Sequence, residues 1–185
     1  MTDELNGKRI AFIATDGVEQ VELTEPWKAV RDAGGRPELI SSKPGEIQGF
    51  DHHDKSQRFR VDATFDSTSV GDYAGLVIPG GVINPDRMRM DQGAVKFVQS
   101  FVSADLPVAA ICHGPWMLVE ADVVRGRNVT SWPSLQTDIR NAGGTWVDRK
   151  LVVDGNLITS RKPGDLEAFS PAIVEAMAGG TPRGG

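Results

Sequence analysis

Short runs in which every position is apolar alternate along this chain with stretches that are apolar on one side only. Lys8 to Ala14 reads Lys-Arg-Ile-Ala-Phe-Ile-Ala and stops at Thr15-Asp16-Gly17. Leu76-Val77-Ile78 stops at Pro79-Gly80-Gly81, and Val108-Ala109-Ala110-Ile111 stops at Cys112-His113-Gly114. Unbroken apolar runs of this length predict strands covered on both faces, as a parallel sheet requires. Between them, Leu23, Trp27 and Val30 share one helical face, and so do Val95, Val98 and Val102, with Phe97 and Phe101 beside them. Strand, polar turn, helix and strand in repetition predict βαβ units, hence an α/β protein with a mostly parallel sheet and helices on both sides.

Two segments break the alternation. Arg36–Ser41 reads as the second strand, after the helix stop Gly34-Gly35, but 46–61 is turn-rich and predicts a β-hairpin excursion. Its middle is Gly-Phe-Asp-His-His-Asp-Lys-Ser, and its arms are Glu46-Ile47-Gln48 and Phe59-Arg60-Val61. A second hairpin has Asp154-Gly155-Asn156 at its tip, between Lys150–Val153 and Leu157–Thr159. Pro163-Gly164-Asp165 precedes a last helix with Leu166, Phe169, Ile173 and Met177 on its apolar face. No repeat or linker interrupts the chain, so residues 1–178 read as one domain and 179–185 as a frayed tail.

Composition narrows the partners. The net charge is -5 and the basic residues are scattered, leaving no stripe to neutralise a nucleic acid. No apolar run approaches the roughly 18 residues of a membrane span. The start, Met1 to Lys8, carries Asp3 and Glu4 and lacks the basic and apolar regions of a signal peptide. One cysteine permits no intrachain disulfide, leaves too few thiols for a structural zinc site and suits a reducing compartment, so a cytoplasmic location is expected.

In an open parallel sheet, sites form beyond the carboxyl ends of the strands where the strand order reverses. Three segments converge on such a rim: Asp16-Gly17-Val18-Glu19, Pro79-Gly80-Gly81 and Cys112-His113-Gly114-Pro115. Cys112 falls at a strand-to-helix turn, the setting of a nucleophile elbow. Amides at the start of the following helix favour a thiolate there; the bland reading is an inert buried thiol. His113 is open between a proton carrier, a backbone amide donor to an oxyanion, and an idle ring hydrogen-bonded to a neighbouring chain segment. Glu19 is open between sharing a proton with the thiol and being a solvated loop acid. Gly80 and Gly81 permit the close backbone approach of an oxyanion hole. His52 and His53, flanked by Asp51 and Asp54, raise a metal hypothesis, but adjacent residues of an extended segment point to opposite faces, so no metal is expected. Thr15-Asp16-Gly17-Val18 lacks the glycine spacing of a dinucleotide site, and no cofactor is expected. The four tryptophans read as core or pocket-wall residues.

The segments Phe12–Glu22, Val77–Gly81, Asn84–Arg87, Ala110–Pro115, Thr130–Pro133 and Thr159–Arg161 together resemble the DJ-1/PfpI superfamily, over about residues 8 to 178. The wording Cys-His-Gly-Pro and Pro-Asp-Arg is most similar to its PfpI-like branch. The resemblance implies a flavodoxin-like three-layer sandwich with Cys112 as nucleophile, Glu19 hydrogen-bonded to its thiol, and the amides of Gly81 and His113 as the oxyanion hole. It also implies that His113 pairs with an acid from a neighbouring subunit. Asp86 occupies that position, one methylene shorter than the family's frequent Glu, so a homo-oligomer, dimer or larger, is implied. The family's activities divide among peptidase, glutathione-independent glyoxalase, protein deglycase and chaperone-like stress roles. The leading expectation is attack by Cys112 on the carbonyl carbon of a small 2-oxoaldehyde or its protein adducts. A cysteine peptidase using Cys112, His113 and Asp86 is the alternative, and a redox sensor or holdase without turnover is the alternative of another class.

Overall fold

The computed structural model describes residues 3–182. The first half of the chain forms β1 (Arg9–Ile13), β2 (Val18–Glu19), α1 (Gln20–Asp32), β3 (Arg36–Ser41), β4 (Glu46–Asp51), β5 (Asp54–Arg60), β6 (Ala63–Thr64) and β7 (Leu76–Ile78). The second half forms α2 (Ile83–Met88), α3 (Gln92–Ser103), β8 (Val108–Ile111), α4 (Pro115–Glu120), β9 (Asn128–Val129), α5 (Gln136–Asn141), β10 (Thr145–Trp146), β11 (Leu151–Asp154), β12 (Leu157–Ser160) and α6 (Leu166–Ala178).

The main sheet has the order β11-β12-β8-β7-β1-β3-β6, and every pairing is parallel except β11 with β12. Side chains alternate across a strand, and β1 shows why its run is apolar at every position after Arg9. Ile10 and Phe12 enter the core made with α1 and α6, while Ala11 and Ile13 enter the opposite core made with α3, α4 and α5. Both cores bury their large side chains fully; Phe12, Phe101 and Phe169 are among them. On α3 the buried stripe is Ala94, Val95, Phe97, Val98 and Phe101, with Val102 at its margin. This is the α/β architecture with a mostly parallel sheet that the periodicity predicts, a flavodoxin-like three-layer arrangement.

After β1 the chain adds β3 and β6 on one side of it, then crosses to lay β7 and β8 on the other. The loops leaving β1 and β7 therefore diverge, which opens a crevice at their carboxyl ends. The first hairpin, β4 with β5, pairs through β2 rather than with the main sheet. Its strands run further than the turn-rich composition suggests. Pairing continues through Phe50 with Lys55 and Asp51 with Asp54, leaving His52 and His53 as a two-residue tip beyond a bulge between Gln48 and Phe50. Asp16 and Gly17 hold the hairpin to the loop after β1: Gln48 N–H donates to Asp16 Oδ1 at 2.7 Å, and Gly17 N–H to Gln48 O at 2.9 Å. α6 closes with Gly179 in the left-handed region, Gly180 N–H returning to Glu175 O, and Pro182 buried. Residues 183–185 of the expected tail lie outside the described residues.

Candidate active site

β8 ends at Ile111, and the chain turns at Cys112 with φ +61, a left-handed conformation that disfavours most side chains. The neighbours hold it there. Cys112 N–H donates to Ser160 O at 3.1 Å, and Cys112 O accepts Trp132 N–H at 2.8 Å. Strain of about 1–3 kcal/mol at such a residue persists only where surrounding contacts over-determine it. The side chain is buried, with only 7% of the residue exposed, and it lines a cavity of about 490 Å³ at the crevice.

The carboxyl beside the thiol is that of Glu22, not Glu19. Glu22 lies on the inward stripe of α1 with Leu23, Pro26 and Val30, and is fully buried. Its Oε2 accepts Gly80 N–H at 2.9 Å, its carboxyl adjoins the Cys112 thiol closely enough that each group perturbs the other, and Oε1 has no hydrogen-bond partner. Glu19, three residues earlier, is the N-cap of α1, and its carboxylate turns outward to accept His52 N–H at 3.2 Å. One helical turn separates an acid directed at the sulfur from an acid directed at the hairpin tip. The signal for Glu22 was present in the chain: it is a lone acid on an otherwise apolar helical stripe.

The loop after β7 completes the surround. Gly80 packs against Cys112 and Glu22 so closely that an added Cβ would lie 2.7 Å from Cys112 Cβ and clash with Glu22 Oε2. Gly81, at φ +84, presents its amide to the sulfur, and His113 does the same. Asn84, fully buried and unremarked by sequence reasoning beyond its place in a motif, staples this loop. Its Nδ2 donates to Pro79 O and Gly80 O at 3.1 Å each, and its Oδ1 accepts Thr15 N–H at 2.7 Å.

Electrostatically, burial dominates. Burial pushes the Glu22 carboxyl up to about 8. Burial, together with the adjacent Glu22, also raises the Cys112 thiol, and the amides of His113 and Gly81 offset only part of this. The depressed thiol that an elbow alone suggests is therefore reversed, because the sulfur is dry and has an acid for a neighbour. Thiol and carboxyl titrate as a coupled pair.

His113 is buried and its imidazole is held in the neutral form by burial. Nδ1 lies 3.3 Å from Cys112 Sγ and Nε2 lies 3.5 Å from Ser134 Oγ, at the edge of hydrogen-bonding range. The ring stacks on Trp132, with centroids 5.9 Å apart and planes 23° apart, and meets the edge of Trp116. Asp86 is exposed on α2, and no hydrogen bond joins it to His113 among the described residues. Val82, Ile83 and Trp132 leave apolar surface exposed around the cavity mouth.

The hairpin tip roofs the cavity with Phe50, His52 and His53. Among the described residues, one grouping offers ligand-type atoms within 4.8 Å of one another: Glu19, Asp51 and His52. Its carboxylates are engaged by His52 itself, through the backbone N–H to Glu19 and Nδ1 to Asp51 Oδ1 at 2.8 Å. His53 is not part of it. No described helix is long and apolar enough to cross a membrane.

A profile described as the DJ-1/PfpI family matches residues 8–176. A protein of Pyrococcus furiosus named deglycase PfpI is 38% identical over 169 residues, which span 91% of this chain and 99% of that protein. General stress protein 18 of Bacillus subtilis is 39% identical over 166 residues, spanning 89% of this chain and 94% of its own. Among solved structures, Drosophila melanogaster DJ-1beta superposes with a TM-score of 0.84 at 26% identity, covering 97% of this chain and 92% of that one.

Proposed function

The chain belongs to the DJ-1/PfpI family, and from its site we propose that it is a thiol-dependent stress enzyme acting on carbonyl carbons, with small 2-oxoaldehydes and their protein adducts as substrates. The observation that carries this reading is the buried pairing of Cys112 with Glu22 beneath a cavity of about 490 Å³. When the pair keeps one proton, two arrangements compete: carboxylate with thiol, or carboxyl with thiolate. The sulfur faces two amides, whereas the carboxylate has one amide on Oε2 and no hydrogen-bond partner on Oε1. At neutral pH burial keeps the carboxyl protonated and raises the thiol, so both protons are in place at rest; when one leaves, we place the charge on sulfur, where two amides converge, and the remaining proton on Glu22.

With methylglyoxal, Sγ bonds to the aldehyde carbon, the carbonyl electron pair moves to oxygen, and that oxygen takes a proton, giving a hemithioacetal. The amides of Gly81 and His113 serve as the oxyanion donors during attack. Transfer of a proton from the first to the second carbon then gives a lactoyl thioester, and water releases lactate and restores the thiol. Lactate formed from methylglyoxal by wild type, and lost in Cys112→Ala, tests the reading; equal production by both ends it.

The peptidase alternative needs His113 as a base oriented by an acid. In one chain that imidazole faces sulfur and Ser134, so Asp86 of a second copy would have to supply the acid. Exposed Val82, Ile83 and Trp132 at the mouth favour an oligomeric assembly that covers them. The single thiol also suits a reducing compartment such as the cytoplasm, where its oxidation state can report stress.

A further inference from the structure

The proposed isomerisation needs a group that takes a proton from one carbon and returns it to the next. Neither residue beside the sulfur offers an atom that is both accessible and unengaged for that task. Glu22 accepts Gly80 N–H on Oε2 and its unpartnered Oε1 is buried, while His113 has Nδ1 against sulfur and Nε2 against Ser134. His52 differs from both. It lines the same cavity from the hairpin tip, it is exposed, and Nδ1 is held by Asp51 Oδ1 at 2.8 Å, which leaves Nε2 unengaged. A carboxylate on one nitrogen fixes the tautomer and ring orientation of a histidine whose other nitrogen does acid–base work.

The backbone at His52 supports the same conclusion. Its φ is +56, the left-handed region that a two-residue hairpin tip takes at its first position and that histidine tolerates better than most side chains. Glu19 keeps it there by accepting the His52 N–H at 3.2 and 3.4 Å from its two oxygens. Glu19 thereby fixes the hairpin tip, and with it His52, over the cavity that Cys112 lines.

We infer that the Asp51–His52 dyad is the acid–base group of the Cys112 site, with Glu19 as the positioning residue that holds the hairpin tip over the cavity. The inference rests on the carbonyl chemistry proposed above. In it, His52 Nε2 removes the proton from the first carbon of the hemithioacetal, the electron pair forms the enediol, and the same proton returns to the second carbon. No proton is gained or lost overall. The groups facing His52 are Asp51 on its own hairpin, Glu19 from β2 and Glu22 from α1, all acids, and with Asp51 first they raise the imidazole above its ordinary value.

The test uses the full chain and two readouts. His52→Asn keeps a residue that tolerates the left-handed turn, and His52→Gln is the second variant. Lactate formation from methylglyoxal should fall about 10²-fold or more in kcat in both, the usual contribution of such a group, with Cys112 still alkylated by iodoacetamide. Glu19→Gln should lower kcat less and bring the His52 titration midpoint down. Wild-type kcat retained in His52→Asn overturns the inference. The second readout needs no turnover: the ring-proton NMR signals of the three histidines, followed before and after Cys112 is carbamidomethylated. The His52 signal and its midpoint should move; an unmoved His52 overturns the inference. If wild type makes no lactate, the reaction itself is rejected and the NMR result alone decides whether the dyad reaches the thiol.

Discussion

Replacing Glu22 by Gln keeps the shape of the side chain and the acceptor for Gly80 N–H but removes its ionisation. In the folded protein the carboxyl titrates at about 8 because it is buried, against 4.5 when exposed. A folded value above the unfolded one means the contribution to stability is complete below about pH 4.5 and is lost as pH rises toward about 8. In that window the folded carboxyl keeps a proton that the unfolded one has released, at about 1.4 kcal/mol per pH unit. Wild type should therefore lose on the order of 5 kcal/mol relative to Glu22→Gln between pH 4.5 and 8, a large share of the 5–15 kcal/mol that holds a typical domain together. The comparison between the two proteins cancels the other titrating groups, such as Glu38, held below its usual range by Arg9, and neutral His113. Urea denaturation at half-unit pH steps gives the difference curve. At pH 8 the Gln variant should be the more stable by several kcal/mol. A flat difference, or a Gln variant less stable at pH 8, would show that Glu22 is ionised at neutral pH and refute the proton placement.

Gly80→Ala should disturb the pair sterically, since its Cβ would lie 2.7 Å from Cys112 Cβ and 2.9 Å from Ile111 O; a loss of about 1–3 kcal/mol by denaturation and a drop in lactate formation are expected. Gly81→Ala adds a Cβ at φ +84, where it would run into Gly17 O, and should lower stability by more than about 1 kcal/mol and reduce kcat rather than raise KM. Asp86→Asn should leave lactate formation near wild type and abolish any peptide cleavage. Light scattering should show an assembly larger than 19.9 kDa, and a monomer would remove Asp86 from the site altogether.

Much of the fold was readable because burial on two faces leaves an unmistakable mark: β7 and β8 are apolar at every position and β1 at every position after Arg9, and each stops at the residues that form the rim. Cys112 was readable for the same reason, as the first residue beyond such a run. Glu19 was not, since its distance from the thiol depends on where α1 begins, and one turn of helix decides which of two acids points inward. The roles of Gly80 and Asn84 depend on contacts between loops far apart in the chain, which no local pattern encodes. The hairpin was legible as an excursion but not as a roof, because its docking runs through the Asp16 and Gly17 hydrogen bonds to Gln48.

The whole account depends on which member of the buried pair carries the last proton, and the pH profile of Cys112 alkylation in wild type and Glu22→Gln reads that directly. With the proton on Glu22 and the charge on sulfur, removing the acid takes a strong donor from the thiolate, so the variant should be alkylated about tenfold more slowly at pH 7, the effect of roughly 1.4 kcal/mol. Faster alkylation of Glu22→Gln would mean that an ionised Glu22 had been suppressing the thiolate, and would contradict the proposed chemistry.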